Sequence, residues 1–166
     1  PWDFDVREKR EKTMDMVISE KPMVIIGSPM CTAWCTWQKL NATRRDPAIV
    51  QRELIRARMH LDFVVSLYRA QLEGGRLFLH EHPQAAASWE EDAIKEIMQV
   101  PGVSRRVGDQ CQYNQTSVHG DPIEKPTGWM STSPRILEQL GDRCYGREGR
   151  CTRPGGGRHQ LCSSSH

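Results

Sequence analysis

An α/β fold built on parallel strands is predicted by three observations. A short, β-branched apolar run occupies residues 23–27, an amphipathic helical stripe begins at Pro47, and a second apolar run follows that helix directly. Strand–helix–strand units of this kind call for a parallel sheet with right-handed crossovers. At 166 residues and 37% apolar composition, the chain can bury one core and is too short for two full domains. The longest apolar run, Met23-Val24-Ile25-Ile26, is far below the roughly 20 residues that span a bilayer. The charged N-terminus PWDFDVREKREK is not a secretory signal, so the expected setting is intracellular, with no membrane partner. The first residue is Pro1 rather than Met, as in a piece of something longer.

The elements follow in order. Residues 6–20 read as a helix with Val6, Met14, Val17 and Ile18 loosely on one side. The strand 23–27 is bounded by Pro22 and by Gly27-Ser28-Pro29. After Cys31 comes a loop or helical turn with Trp34 and Trp37, which either fill the core or pack beside a base. Asp46 then caps a helix with Pro47 at its first position. Its stripe is Val50, Leu54, Ala57, Leu61, Val64, Tyr68 and Leu72, and Gly74-Gly75 ends it.

The next strand, 77–79, runs into His80-Glu81-His82-Pro83. Ser88 and Glu91 form a capping box for a helix over 89–99, stopped by Pro101-Gly102. VSRRVGDQCQY and KPTGWMSTS read as a hairpin, and Ser133-Pro134 opens a last short helix. The expected division is an α/β unit over 1–141 and a basic Cys/His tail over 142–166.

Ligands of open α/β sheets bind outside the carboxyl ends of the strands. With one helix between the two strands, Cys31 and Glu81 project into one crevice. A thiolate supplies a nucleophile, and a carboxyl group beside it moves a proton. The bland alternatives are an inert small Cys31 and ordinary strand-end histidines. Cys31 and Cys35 make a poor metal half-site, whereas His80 or His82 with Cys31 would make a hydrolytic pair.

Residues 142–166 carry five arginines against Asp142 and Glu148. Arg147 and Arg150 are the expected phosphate contacts, against the alternative of a solvated terminus. Cys144, Cys151, His159 and Cys162 form C-x6-C-x7-H-x2-C, a soft set suited to tetrahedral zinc; the alternative is a disordered end with free thiols. The six cysteines read as reduced, so the Asn41 and Asn114 sequons are fortuitous.

The motifs GSPMCT, FLHEHP and WDF resemble, in that order and spacing, parts of the DNA cytosine-5 methyltransferase family. The whole run, with LN, DQCQY, KPTGWM and the Cys/Gly/His tail, is similar to methyltransferase-like domains in retroelement polyproteins of algae and protists. Met30 stands where that family has Pro, Thr32 where it has Gln, and His82-Pro83 where it has Asn-Val. The resemblance implies a partial Rossmann-like methyltransferase sheet whose cofactor strand precedes Pro1. It implies S-adenosylmethionine as cofactor, near Asp3 and Pro29, and DNA as partner, contacted by Gln110. It also implies a nuclear setting and carbon-5 methylation with Cys31 as nucleophile and Glu81 as acid. The competing expectation is a non-catalytic nucleic-acid-binding module with a zinc-stabilised basic tail.

Overall fold

A computed structural model describes residues 2–35, 45–146 and 148–161. The first half holds α1 (Arg7–Glu20), β1 (Val24–Gly27), a tight turn at Thr32–Trp34, α2 (Pro47–Glu73) and β2 (Leu77–Pro83). The second holds α3 (Asp92–Met98), β3 (Ser104–Asp109), β4 (Ile123–Glu124), β5 (Pro126–Ser131), α4 (Pro134–Gln139) and β6 (Gln160–Leu161). No described helix is long and apolar enough to cross a membrane. Trp37, Asn41, Arg147 and Cys162 lie outside the described residues.

The fold is α/β, with a four-stranded mixed sheet in the order β1-β2-β5-β3. β1 and β2 are parallel, joined by α2 as expected, with Gly27 opposite His80. The expected hairpin forms on the other side, as the antiparallel pair β3–β5. β5 runs antiparallel between β2 and β3, because the hairpin inserts its return strand into the sheet rather than at its edge. A second small ladder pairs β4 with β6, so the tail contributes a strand where the sequence shows no periodicity.

α2 starts as its sequence dictates: the Asp46 side chain accepts from the Ala48 N–H, with Pro47 in the first turn. Its inner face buries Leu61, Val65, Leu67, Tyr68 and Gln71. Tyr68 and Leu61 join Phe78, Trp34, Trp89, Ile94, Ile97 and Met130 in one core, so Trp34 is a core residue. Tyr68 stacks on Phe78 with centroids 4.4 Å apart. Gly27 makes room for it, since a Cβ there would lie 2.0 Å from the Tyr68 hydroxyl. α1 is less amphipathic than expected: only Val17 is buried, and Ile18 is exposed.

Two boundaries move. The second strand continues through His80-Glu81-His82 to Pro83, because its register with β5 is kept to Thr127. The capping box does not form. Ser88 lies in a tight turn, Ala87–Glu90, and α3 begins only at Asp92. The Ser88 hydroxyl hydrogen-bonds His82 instead, and Glu91 pairs with Arg58 of α2 at 2.8 Å. A buried histidine outcompetes the local cap. Ser133 does cap α4, accepting from the Ile136 N–H.

Candidate functional site: a thiol–carboxylate crevice and a metal centre

The end of β2 alternates, after the three buried residues Phe78, Leu79 and His80. His80 and His82 are fully buried on one face, and Glu81 emerges on the other. Tyr68 hydrogen-bonds His80 Nδ1 at 3.0 Å. His82 Nε2 meets the Pro29 carbonyl at 3.1 Å, while its Nδ1 is bonded to Ser88. Pro29 and Ser88 take up both His82 nitrogens, and burial favours the neutral ring, which donates to Pro29 and accepts from Ser88. Burial first, then the neighbouring His82 and Arg105, pushes His80 down to about 3. Burial also lowers His82, against the opposing pull of the Glu81 carboxylate. His82 holds the loop at Pro29, His80 is tied to Tyr68 of α2, and neither hydrogen-bonds Cys31, so the alternative of a Cys–His hydrolytic pair is not assembled.

On the open side, Glu81 Oε2 accepts from the Ser28 hydroxyl at 2.5 Å. Its Oε1 is buried with no hydrogen-bond donor, and the Lys125 ammonium stands 3.6 Å away. Cys31 lies on the loop that leaves β1, four residues beyond Gly27. Burial raises its thiol, Lys125 lowers it, and Glu81 raises it. The parallel β1–β2 pair sets the start of this loop, at Ser28, against Glu81.

Beside the loop, a groove of about 390 Å³ runs along β1, walled by Phe4, Phe63, Val64, Gly27, Pro29 and Met30. Asp3, the expected cofactor contact, makes local turn bonds: its carboxylate accepts from the Asp5 N–H and its carbonyl from the Val6 N–H. Asp5 is tied to Arg56 and to His60 of α2.

The second centre joins the sheet to the tail. Cys111, Cys144, Cys151 and His159 place their ligand atoms within 4.8 Å of one another, a group that could hold a metal ion. Cys144 Sγ is 4.0 Å from Cys151 Sγ and 3.5 Å from His159 Nε2. Tetrahedral zinc with bonds of ~2.3 Å to sulfur has edges of about 3.8 Å, so these separations match. Cys111, in the tight turn Gln110–Tyr113 after β3, is the ligand missed by sequence reading. It lies 33 positions before Cys144, and only the return of the tail over β3 brings it in. Cys162, expected as the fourth ligand, lies outside the described residues.

The tail is fastened before it reaches the centre. Asp109, buried at the end of β3, accepts from Arg143 Nε at 2.8 Å and from the Cys144 N–H at 2.7 Å. Burial works to raise the Cys144 thiol, but donors from Thr152 and Gly146 outweigh it and bring it down. Burial raises Cys111. Gly146 is required by closeness: a Cβ would fall 1.5 Å from the Arg150 carbonyl.

Of the expected substrate contacts, Gln110 turns inward, donating from its side chain to Thr127 Oγ1 at 2.9 Å. Arg150 is exposed and pairs across an isolated bridge with Arg158, also exposed. Among the described residues, no acidic side chain pairs with either. Comparison with protein-family models, curated proteins and solved structures gives no match.

Proposed function

We propose that this chain transfers a methyl group to carbon 5 of cytosine in DNA, on an α/β unit whose tail is folded around zinc. The observation that supports the reading is the parallel pairing of β1 and β2, with Ser28 of the loop that carries Cys31 hydrogen-bonded to Glu81 at the strand end. A base flipped out of the duplex enters the crevice there, since the attacked carbons are inaccessible within the stack. The Cys31 sulfur forms a bond to carbon 6, and the displaced electron pair moves into the ring toward carbon 5. Glu81 gives or shares a proton at ring nitrogen 3, which relieves the charge. Ser28 fixes the carboxyl group, and His82 fixes the loop through Pro29. S-adenosylmethionine supplies the methyl group as an electrophilic carbon; Phe4 and Pro29 would hold its adenosine half. Loss of the carbon-5 proton to solvent water then lets the electron pair expel the Cys31 sulfur from carbon 6 as a thiolate and restore the ring. Such a substrate implies a nuclear site of action.

Cys111, Cys144, Cys151 and His159 are the proposed zinc ligands, a closed set of three sulfurs and one nitrogen that fits a structural role. The test is mass-spectrometric detection of 5-methyldeoxycytidine in duplex DNA incubated with the protein and S-adenosylmethionine. Product is expected from the wild type and none from Cys31→Ala, with Glu81→Gln slower by roughly 10²–10⁴-fold. No product together with no calorimetric binding of the cofactor overturns the reading.

One observation favours the second reading, a non-catalytic nucleic-acid-binding module. Arg150 and Arg158 are like charges placed opposite each other, with no acidic partner among the described residues. Such an arrangement is unfavourable unless an anion bridges it.

A further inference from the structure

Two of the four metal-centre residues lie on a short hairpin whose other face carries two arginines. The Cys151 N–H donates to the Gly157 carbonyl at 2.9 Å, and the His159 N–H donates to the Gly149 carbonyl at 2.6 Å. Between these two bonds, Arg150 stands directly opposite Arg158. The Gly156 N–H closes the turn onto the Arg153 carbonyl at 2.9 Å. Successive residues of an extended strand point to opposite faces. Cys151 and His159 therefore share the face that meets Cys111 and Cys144, and Arg150 and Arg158 share the other.

The two arginines occupy the closer kind of antiparallel pair. Residues flanked by ladder hydrogen bonds, rather than joined by them, have Cα atoms about 4.5 Å apart and side chains close together. Like charges placed so destabilise the pairing. Both arginines are exposed, and Glu148, the one acidic residue between 148 and 161, pairs with neither. Arg143, by contrast, is taken up by Asp109. The opposite face supplies what holds the two strands together, because one ion bound by Cys151 and His159 joins them. The Gln160 N–H, next along from His159, donates to the Pro122 carbonyl at 2.8 Å and fastens the hairpin to the α/β unit.

We propose that zinc assembles Arg150 and Arg158 into a clip for the backbone phosphates of duplex DNA, so that metal and DNA bind cooperatively. The proposal rests on DNA as the partner and on the Cys/His group as a zinc site, and it adds control of the first by the second. Guanidinium forks match phosphate oxygens, and a phosphate between them replaces repulsion with attraction. By linkage, the factor that zinc adds to DNA affinity is the factor that DNA adds to zinc affinity.

The probe is a short fluorescein-labelled duplex of mixed sequence, followed by anisotropy without S-adenosylmethionine, so methyl transfer plays no part. Stripping zinc with a chelator is expected to weaken binding by the parent protein roughly tenfold or more. Zinc-loaded protein carrying both Arg150→Gln and Arg158→Gln is expected to show a similar loss while keeping one zinc per chain by elemental analysis. Stripping that variant is expected to change its affinity little. In the reverse direction, the duplex is expected to slow the loss of zinc to the chelator in the parent and not in the variant. Equal DNA affinity with and without zinc overturns the metal control and leaves the DNA reading standing. A zinc effect as large in the variant as in the parent overturns the clip. A duplex that binds neither form overturns the clip and the DNA reading together, as does preference for phosphatidylserine vesicles over the duplex.

Discussion

His80 and His82 carry the sharpest consequence at the scale of single residues. Both are fully buried and neutral, and His80 is pushed down to about 3 by burial and by neighbouring positive charge. In the unfolded chain the same ring takes a proton near its ordinary value of about 6.5. Between these values the unfolded state binds more protons, so the stability held above about pH 6.5 is lost as the pH falls. His80 alone accounts for a slope of about 1.4 kcal/mol per pH unit below 6.5. Urea midpoints between pH 7 and 5 should therefore fall steeply in the wild type. They should fall less, by about one proton's slope, when Tyr68→Phe and His80→Leu remove both ends of the buried bond. Equal slopes in the two proteins would show that His80 is not held neutral. His82→Ala leaves the Pro29 carbonyl and Ser88 without their partner, and a loss of about 1–3 kcal/mol is expected by denaturant unfolding.

At the scale of elements, the tail from Asp142 to Leu161 is the part whose order depends on something other than burial. Fixing each residue costs about 1–2 kcal/mol of backbone entropy, and this stretch presents no apolar stripe to offset it. A structural zinc ion contributes on the order of 10 kcal/mol. Elemental analysis should give one zinc per chain. Chelation or Cys111→Ser should raise amide exchange across 142–161 while β1, β2, β3 and β5 stay protected. Protection of the tail without metal would contradict this. Gly146→Ala should lose the metal as well, because its Cβ has no space.

The Arg150–Arg158 pair belongs to the same element. Neutralising both should weaken duplex DNA binding whatever the sequence. It should also reduce the slope of log affinity against log salt by nearly two. An unchanged slope would remove the pair from the interface.

Much of this element was not legible in the sequence. Cys144, Cys151 and His159 stand out by local spacing. Cys111 does not, since its membership depends on Asp109 seizing the Cys144 backbone and turning the tail back over β3. Ser88 shows the same limit. Its distance to Glu91 is right for a capping box, and only the buried imidazole of His82 explains why the hydroxyl is used elsewhere.

At the scale of the whole molecule, what depends on periodicity and caps was readable. The α2 stripe, its Asp46-Pro47 start and the parallel β1–β2 pair follow from sequence. The place of β5 was not readable, because a hairpin pattern does not say whether its return strand lies at the edge or between two others. That insertion matters for function. It sets Trp129 opposite Glu81 and brings the Lys125 link to the mouth of the crevice.

Covalent trapping tests the central claim, the Cys31 nucleophile, most directly. Duplex DNA bearing 5-fluorocytosine, incubated with the protein and S-adenosylmethionine, holds the addition product, because fluorine cannot leave as a cation. The expected result is a protein–DNA adduct mapped by peptide mass to Cys31, lost in Cys31→Ser and kept in Cys35→Ser. An adduct that survives Cys31→Ser, or no adduct from a protein that binds both DNA and cofactor, would contradict it.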